Sequence, residues 1–149
     1  MPVDGVDGLF TDLDDTLTTG GLLTASAYAA LWALARAGLR VVPVTGRPAG
    51  WAHMILRTWP VDAVVAESGG LTLWRDPASG RTRTLFHDDE ARVRAGRVRL
   101  EACAARVLAA LPGLAPASDN AYRQVDLALD WCEEVPRVDP AVVDAAIAM

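Results

Sequence analysis

Thr11-Asp12-Leu13-Asp14-Asp15-Thr16-Leu17 decides the reading of this chain, because an apolar run ending at Leu9-Phe10 delivers three carboxylates within four positions. Like charges about 4 Å apart repel by roughly 4 kcal/mol at an effective dielectric near 20, so the cluster calls for a bound cation or a shifted pKa. Side chains alternate along an extended backbone, which predicts that Asp12 and Asp14 share one side. Two carboxylates facing one space suit phosphoryl transfer. In such chemistry one carboxylate can attack phosphorus to give an aspartyl-phosphate, while a second protonates the leaving oxygen and later deprotonates water. A solvated acidic turn after a strand is the plain alternative, and it leaves the apolar lead-in and Thr16-Leu17 unexplained.

Upstream of this stretch, Val6 to Thr11 reads as a strand interrupted by Asp7-Gly8. Downstream, after a Thr18-Thr19-Gly20-Gly21 turn, Thr24 is placed to cap a helix over 25–37. Leu31, Leu34 and Ala35 face inward on it and Gly38 is its stop. Leu39 to Val44 is the next strand, although Pro43 conflicts with a central position by removing a ladder donor. Strand, helix and strand in this order imply a right-handed crossover and parallel neighbours, with ligands beyond their carboxyl ends. Asp12 and Thr45 are therefore expected at one edge. Pro48 suits the first turn of a helix running to about Arg57. The Thr45 hydroxyl and main-chain N–H groups around Gly46 are suited to phosphoryl oxygens at that helix start. Thr45 serves equally well as a simple helix cap. The Arg47 guanidinium suits an oxyanion, or ties down the helix.

Asp12-Leu13-Asp14-Asp15-Thr16-Leu17 resembles the first motif, DxDxT, of the haloacid dehalogenase-like (HAD) superfamily of phosphohydrolases. Val44-Thr45-Gly46-Arg47-Pro48 resembles the second, in the form of the Cof-type and sucrose-phosphatase-like branch (type IIB). Glu67-Ser68-Gly69-Gly70 is similar to the Glu-Asn-Gly segment of that branch, with Ser68 in the place of asparagine. The resemblance implies an α/β fold with a Rossmann-like parallel sheet, followed by a partial α/β cap. It implies Asp12 as nucleophile, Asp14 as acid and base, and Thr45, Gly46 and Arg47 around the phosphate. Mg²⁺ would be held by the Asp12 carboxylate and the Asp14 main-chain carbonyl. The implied reaction is hydrolysis of a small phosphorylated substrate, a sugar phosphate in this branch, and related phosphomutases share the motifs.

Composition agrees with a folded α/β chain. At 149 residues and 52% hydrophobic content there is enough material for a real core. A net charge of −5 disfavours nucleic acid as a partner, because counterion displacement needs a basic surface. All 14 basic residues are arginine, which excludes a phosphate loop ending in Gly-Lys-Ser/Thr. Cys103 and Cys132 are too few for a disulfide framework or a metal site, so reduced thiols in the cytoplasm are expected. Neither a basic leader nor an apolar run of about 18 residues occurs, so no membrane association is expected.

Further along, Asp62 to Ala66 is a third strand, and Leu71 to Trp74 with Thr82 to Phe86 form a hairpin. If Gly69-Gly70 is only a turn, Glu67 is solvated. Asp88 or Asp89 caps a long helix to about Leu111 with Val93, Leu100, Ala104, Val107 and Leu111 on one stripe. On another face of it, Arg92, Arg99 and Arg106 are expected to be solvated or paired with acids. Tyr122 to Leu129 alternates as a strand, and Asp139-Pro140 starts a last helix. Only 32 residues separate Asp12 from Thr45, too few for a lid. Residues 1–86 are therefore read as the N-terminal half of the core. Residues 87–149 are read as the start of an inserted cap that stops unfinished at Met149, a truncation. The lysine or arginine of the third family motif and the Gly-Asp-x-x-x-Asp of the fourth normally follow the cap. Neither follows here, so this chain alone is expected to be feeble or inactive. A non-catalytic metal- or phosphate-binding α/β module is the competing expectation.

Overall fold

A computed structural model describes residues 5–149, and the chain divides into one compact unit ending at His87 and a second from Asp88 to Met149. In chain order the first unit contains β1 (Gly8–Asp12), β2 (Thr18–Thr19), β3 (Leu22–Leu23), α1 (Ala25–Arg36), β4 (Arg40–Val44), α2 (Ala49–Thr58), β5 (Ala63–Ala66), β6 (Leu71–Arg75) and β7 (Thr82–Phe86). Its main sheet has the order β1-β4-β5-β6-β7. The first three strands are parallel, and β6 and β7 extend the sheet as antiparallel neighbours.

The two crossover helices follow from capping and patterning. Thr24 Oγ1 accepts the Ala27 N–H at 3.2 Å to start α1, and Gly38, at a φ of 79°, takes the left-handed turn that ends it. Along α2, Ala49, Ala52, Ile55 and Leu56 recur at helical spacing and are all buried. Tyr28 ties the helices together. Its hydroxyl donates to the Thr58 carbonyl at 3.1 Å, and its ring meets Trp32 and Trp59 edge-on. Leu13, Leu31, Val41, Ile55, Leu56, Val64 and Leu71 form the center of the core. Each such side chain contributes about 1.5–3 kcal/mol on burial.

Several expectations need correction. The first strand runs Gly8–Asp12 rather than Val6 to Thr11. Gly8 is no interruption of it: a Cβ there would lie 2.5 Å from the Arg40 carbonyl oxygen, so glycine permits the close approach of β1 and β4. The segment after Leu17 is not a bare turn, since β2 and β3 pair as a small antiparallel hairpin. Pro43 does lie inside a central strand. Main-chain bonds alternate direction along β4: Arg40 N–H donates to Asp7 on the β1 side, whereas Asp62 N–H donates to Val41 and Thr45 N–H to Val65 on the β5 side. Pro43 shares the parity of Val41 and Thr45, so its missing donor falls on the β5 side. There the register holds only Val44 opposite Val65, against five matched pairs between β1 and β4.

The second unit contains α3 (Glu90–Ala110), β8 (Ala115–Pro116), β9 (Leu129–Asp130) and α4 (Pro140–Ile147). Asp89 caps α3 by accepting the Arg92 N–H at 2.9 Å. The predicted strand from Tyr122 to Leu129 is absent. Ser118–Tyr122 is a 3₁₀ turn, and only Leu129–Asp130 pairs, with Ala115–Pro116. Polar side chains outcompete the ladder here. Asn120 makes two bonds to the Ala128 main chain, at 2.7 and 2.9 Å, and the Arg123 guanidinium is clamped by Asp119 and Asp126. The stripe on α3 is covered unevenly: Ala104 and Val107 are buried while Leu100 is 41% exposed. Among the described residues no helix is long and apolar enough to cross a membrane.

Candidate functional site

The β1–β4 register sets Asp12 opposite Val44, and Thr45 is the next residue at the carboxyl edge of the parallel strands. The structure thus brings Asp12 and Thr45 to the ends of adjacent strands at one edge of the sheet, where ligands of such sheets sit.

Asp12 and Asp14 do not share an extended strand. β1 ends at Asp12, and the chain turns at once, with Leu13 buried and its carbonyl accepting the N–H groups of Leu17 and Thr18, both at 3.0 Å. The Thr18 hydroxyl also donates to that carbonyl at 3.2 Å and accepts the Asp15 N–H at 3.2 Å. Asp15 takes a φ of 55° in this turn. Asp12 is left exposed, with the Thr16 hydroxyl 3.4 Å from Oδ2. Asp14 reaches the second loop instead: Arg47 Nε lies 3.0 Å from Oδ2, and Nη2 lies 3.1 Å from Oδ1. The positive partner demanded by the clustered acids is therefore in part Arg47, whose guanidinium also lies over the Trp51 ring at 5.3 Å.

The loop carrying Thr45, Gly46 and Arg47 is held from outside. Thr45 is 3% exposed and its Oγ1 accepts the Arg47 N–H at 3.0 Å. Its own N–H donates to Val65 at 2.9 Å. Three further bonds arrive from the turn after β5: Ser68 N–H to the Thr45 carbonyl at 3.2 Å, Glu67 N–H to the Arg47 carbonyl at 3.1 Å, and Glu67 Oε1 from the Ala49 N–H at 2.9 Å. Pro48, at the start of α2, offers no side-chain cap, so Glu67 caps the helix from 18 residues away. Glu67 is 2% exposed, which rules out the solvated glutamate of the simple-turn reading. Gly46 is exposed at the rim, and a Cβ built on it would sit 3.4 Å from Ser68 Oγ.

The donor set fits a hard divalent cation in a limited way. No three of His, Cys, Asp and Glu gather as a metal nest among the described residues. The Asp12 carboxylate is accessible, and among the described residues no hydrogen bond reaches the Asp14 main-chain carbonyl. Two oxygens from one turn suit Mg²⁺, which keeps several waters and takes few protein ligands. Sequence reasoning missed the tasks of Glu67 and Arg47. The signal for Glu67 was an acid placed directly at the end of an apolar strand, with two glycines after Ser68.

No protein-family model matches the chain, and no curated protein matches it. Solved structures do. A protein from Thermoplasma acidophilum superposes with a TM-score of 0.57 at 20% identity, covering 95% of this chain and 52% of its own. A structure described among phosphatases of the haloalkanoate (HAD) enzyme superfamily, from Bacteroides thetaiotaomicron, gives 0.50 at 20% identity, covering 99% and 49%. A haloacid dehalogenase-like hydrolase from B. subtilis gives 0.49 at 23% identity over 68% of this chain and 34% of its own. The chain shares the α/β fold of the first two of these structures and spans about half the length of each of their chains.

Proposed function

We propose that the chain carries the nucleophile half of a Mg²⁺-dependent phosphomonoester hydrolase of HAD type, acting on a small phosphorylated substrate such as a sugar phosphate. The observation that carries this reading is the exposed Asp12 carboxylate at the end of β1, one register step from Thr45, the residue just past β4. Asp12 attacks phosphorus in line with the leaving oxygen, and an aspartyl-phosphate forms as the ester bond breaks. Thr45 Oγ1 accepts from Arg47, which leaves its proton to donate to a phosphoryl oxygen, beside the main chain of Gly46. Asp14 protonates the leaving oxygen, then takes a proton from the water that attacks the phosphoenzyme. Reaching the substrate requires Asp14 to exchange its Arg47 contact for the leaving group. Arg47 thereby becomes the residue that positions Asp14, and only secondarily a phosphate ligand. Mg²⁺ on the Asp12 carboxylate and the Asp14 carbonyl would supply charge neutralisation on the phosphoryl oxygens. A cytoplasmic setting fits Cys103 and Cys132, neither of which is in a disulfide.

Phosphate release from a panel of sugar phosphates, with and without Mg²⁺, tests the proposal. Turnover is expected to be slow, because these 149 residues contain no lysine and no Gly-Asp-x-x-x-Asp motif, and a missing preorganised charge costs about 10²–10³ in rate. Asp12→Asn is expected to remove what activity there is. Equal rates for the variant and the unmodified chain would refute Asp12 as nucleophile. The same Arg47–Asp14 pairing favours a second reading, a non-catalytic phosphate- or metal-binding module. Calorimetric Mg²⁺ binding with no phosphate release on any substrate of the panel would select it.

A further inference from the structure

At the end of the sheet opposite Asp12, a cavity of about 590 Å³ opens between the C-terminal ends of α1 and α2 and the starts of β4 and β5. That volume falls within the roughly 300–1,000 Å³ of small-molecule sites. Its charged lining is Arg40, Arg57 and Arg75 against Asp62, a basic hollow in a chain of net charge −5. Asp62 is partly spent, since its Oδ2 accepts the Val41 N–H at 2.8 Å. Arg75 is fixed in place by donating from Nη2 to the Leu56 carbonyl at 2.8 Å. Arg40 and Arg57 form no ion pair among the described residues. Guanidinium groups left without a carboxylate in a concave surface attract oxyanions, and their planar forks match phosphate.

The remaining wall is aromatic. Trp32 and Trp59 line the same cavity, both braced edge-on by Tyr28, and Trp32 is 42% exposed. The Arg36 guanidinium lies over the Trp32 ring at 5.6 Å, and the indole surface left at the side of this basic hollow offers stacking for a planar ring. We infer that this cavity binds a nucleoside phosphate, with its phosphates toward Arg40 and Arg57 and its base along the indoles. The five-residue rise from Arg40, at the start of β4, to Thr45, just past its end, puts the cavity roughly 16 Å from the edge that holds Asp12, so the two sites are distinct.

The test is quenching of tryptophan fluorescence by ATP, without Mg²⁺, in the full chain carrying Asp12→Asn so that hydrolysis at the far edge is removed. Saturable quenching is expected, with adenosine and pyrophosphate each binding at least about tenfold more weakly than ATP. Arg40→Ala with Arg57→Ala is expected to weaken ATP at least about tenfold, and Arg57→Glu alone to do the same, with the far-ultraviolet circular dichroism unchanged. Absence of saturation at millimolar ATP, equal binding of ATP and pyrophosphate, or indifference to the arginine substitutions would each overturn the inference.

Discussion

Arg47 and Asp14 meet across 33 positions of sequence, and the strength of that contact decides what it is for. Asp14 is 42% exposed in the pair, and ion pairs of that exposure contribute no more than about 1 kcal/mol to stability. Misplacing a catalytic group, by contrast, costs up to roughly 10²-fold in rate. Arg47→Ala should therefore lower phosphate release far more than it lowers the melting temperature. A large thermal loss with turnover unchanged would assign the pair to folding instead. Glu67 is the opposite case. It is buried, and Glu67→Ala leaves the Ala49 N–H without its acceptor, at a cost of about 1–3 kcal/mol. Denaturant unfolding should show that loss, with Glu67→Gln recovering part of it. Ser68 sits at φ 54° and ψ 32°, a left-handed conformation that asparagine tolerates better than serine. Ser68→Asn should stabilise the chain by about 0.5–1 kcal/mol, which differential scanning calorimetry resolves.

Among the elements, the loop around β9 shows how a sequence pattern misleads. Alternation from Tyr122 to Leu129 suggested a strand, but a half-polar run is also what a loop needs when its side chains bond its own main chain. Asp130 is the clearest instance, accepting N–H groups from Cys132, Glu133 and Glu134 at 2.8–2.9 Å. The bonds from Glu133 and Glu134 hold its carboxyl below the usual 3.8. A carboxylate depressed in the folded state stabilises the fold above the unfolded pKa, and that contribution fades as pH falls through the folded value. The second unit should thus lose stability as pH drops below about 4. Asp130→Asn should flatten that acid limb, as pH-dependent urea denaturation would show. Where local rules governed, the elements were legible: Thr24 and Asp89 as caps, Gly38 as a stop, and the β-α-β order that puts Asp12 beside Val44. What stayed hidden was carried by contacts distant in sequence. Neither the Glu67 cap on α2 nor the pairing of Arg47 with Asp14 leaves a periodic trace, and Trp32 and Trp59 line one cavity through the packing of two helices that Tyr28 bridges.

For the molecule as a whole, the main sheet is unequally stitched. Between β1 and β4 five residue pairs are in register, whereas the β4–β5 side has one, and Pro43 lacks a donor there. Asp62 partly restores that seam by giving its carboxylate to the Val41 N–H. Asp62→Ala should accordingly speed amide exchange at Val41 and Thr45 more than at residues of β1, since local opening follows the weakest joint. If all these amides exchange equally faster, the sheet opens as one piece. The proline thus acts as a perforation. Drawn from its C-terminal side into a narrow pore by a mechanical unfoldase, the first unit would shed β7, β6 and β5 and part at this seam before β1 leaves β4. Asp12 and Thr45 would then still stand side by side, while the bonds from Glu67 and Ser68 that clamp the second loop would be stripped away.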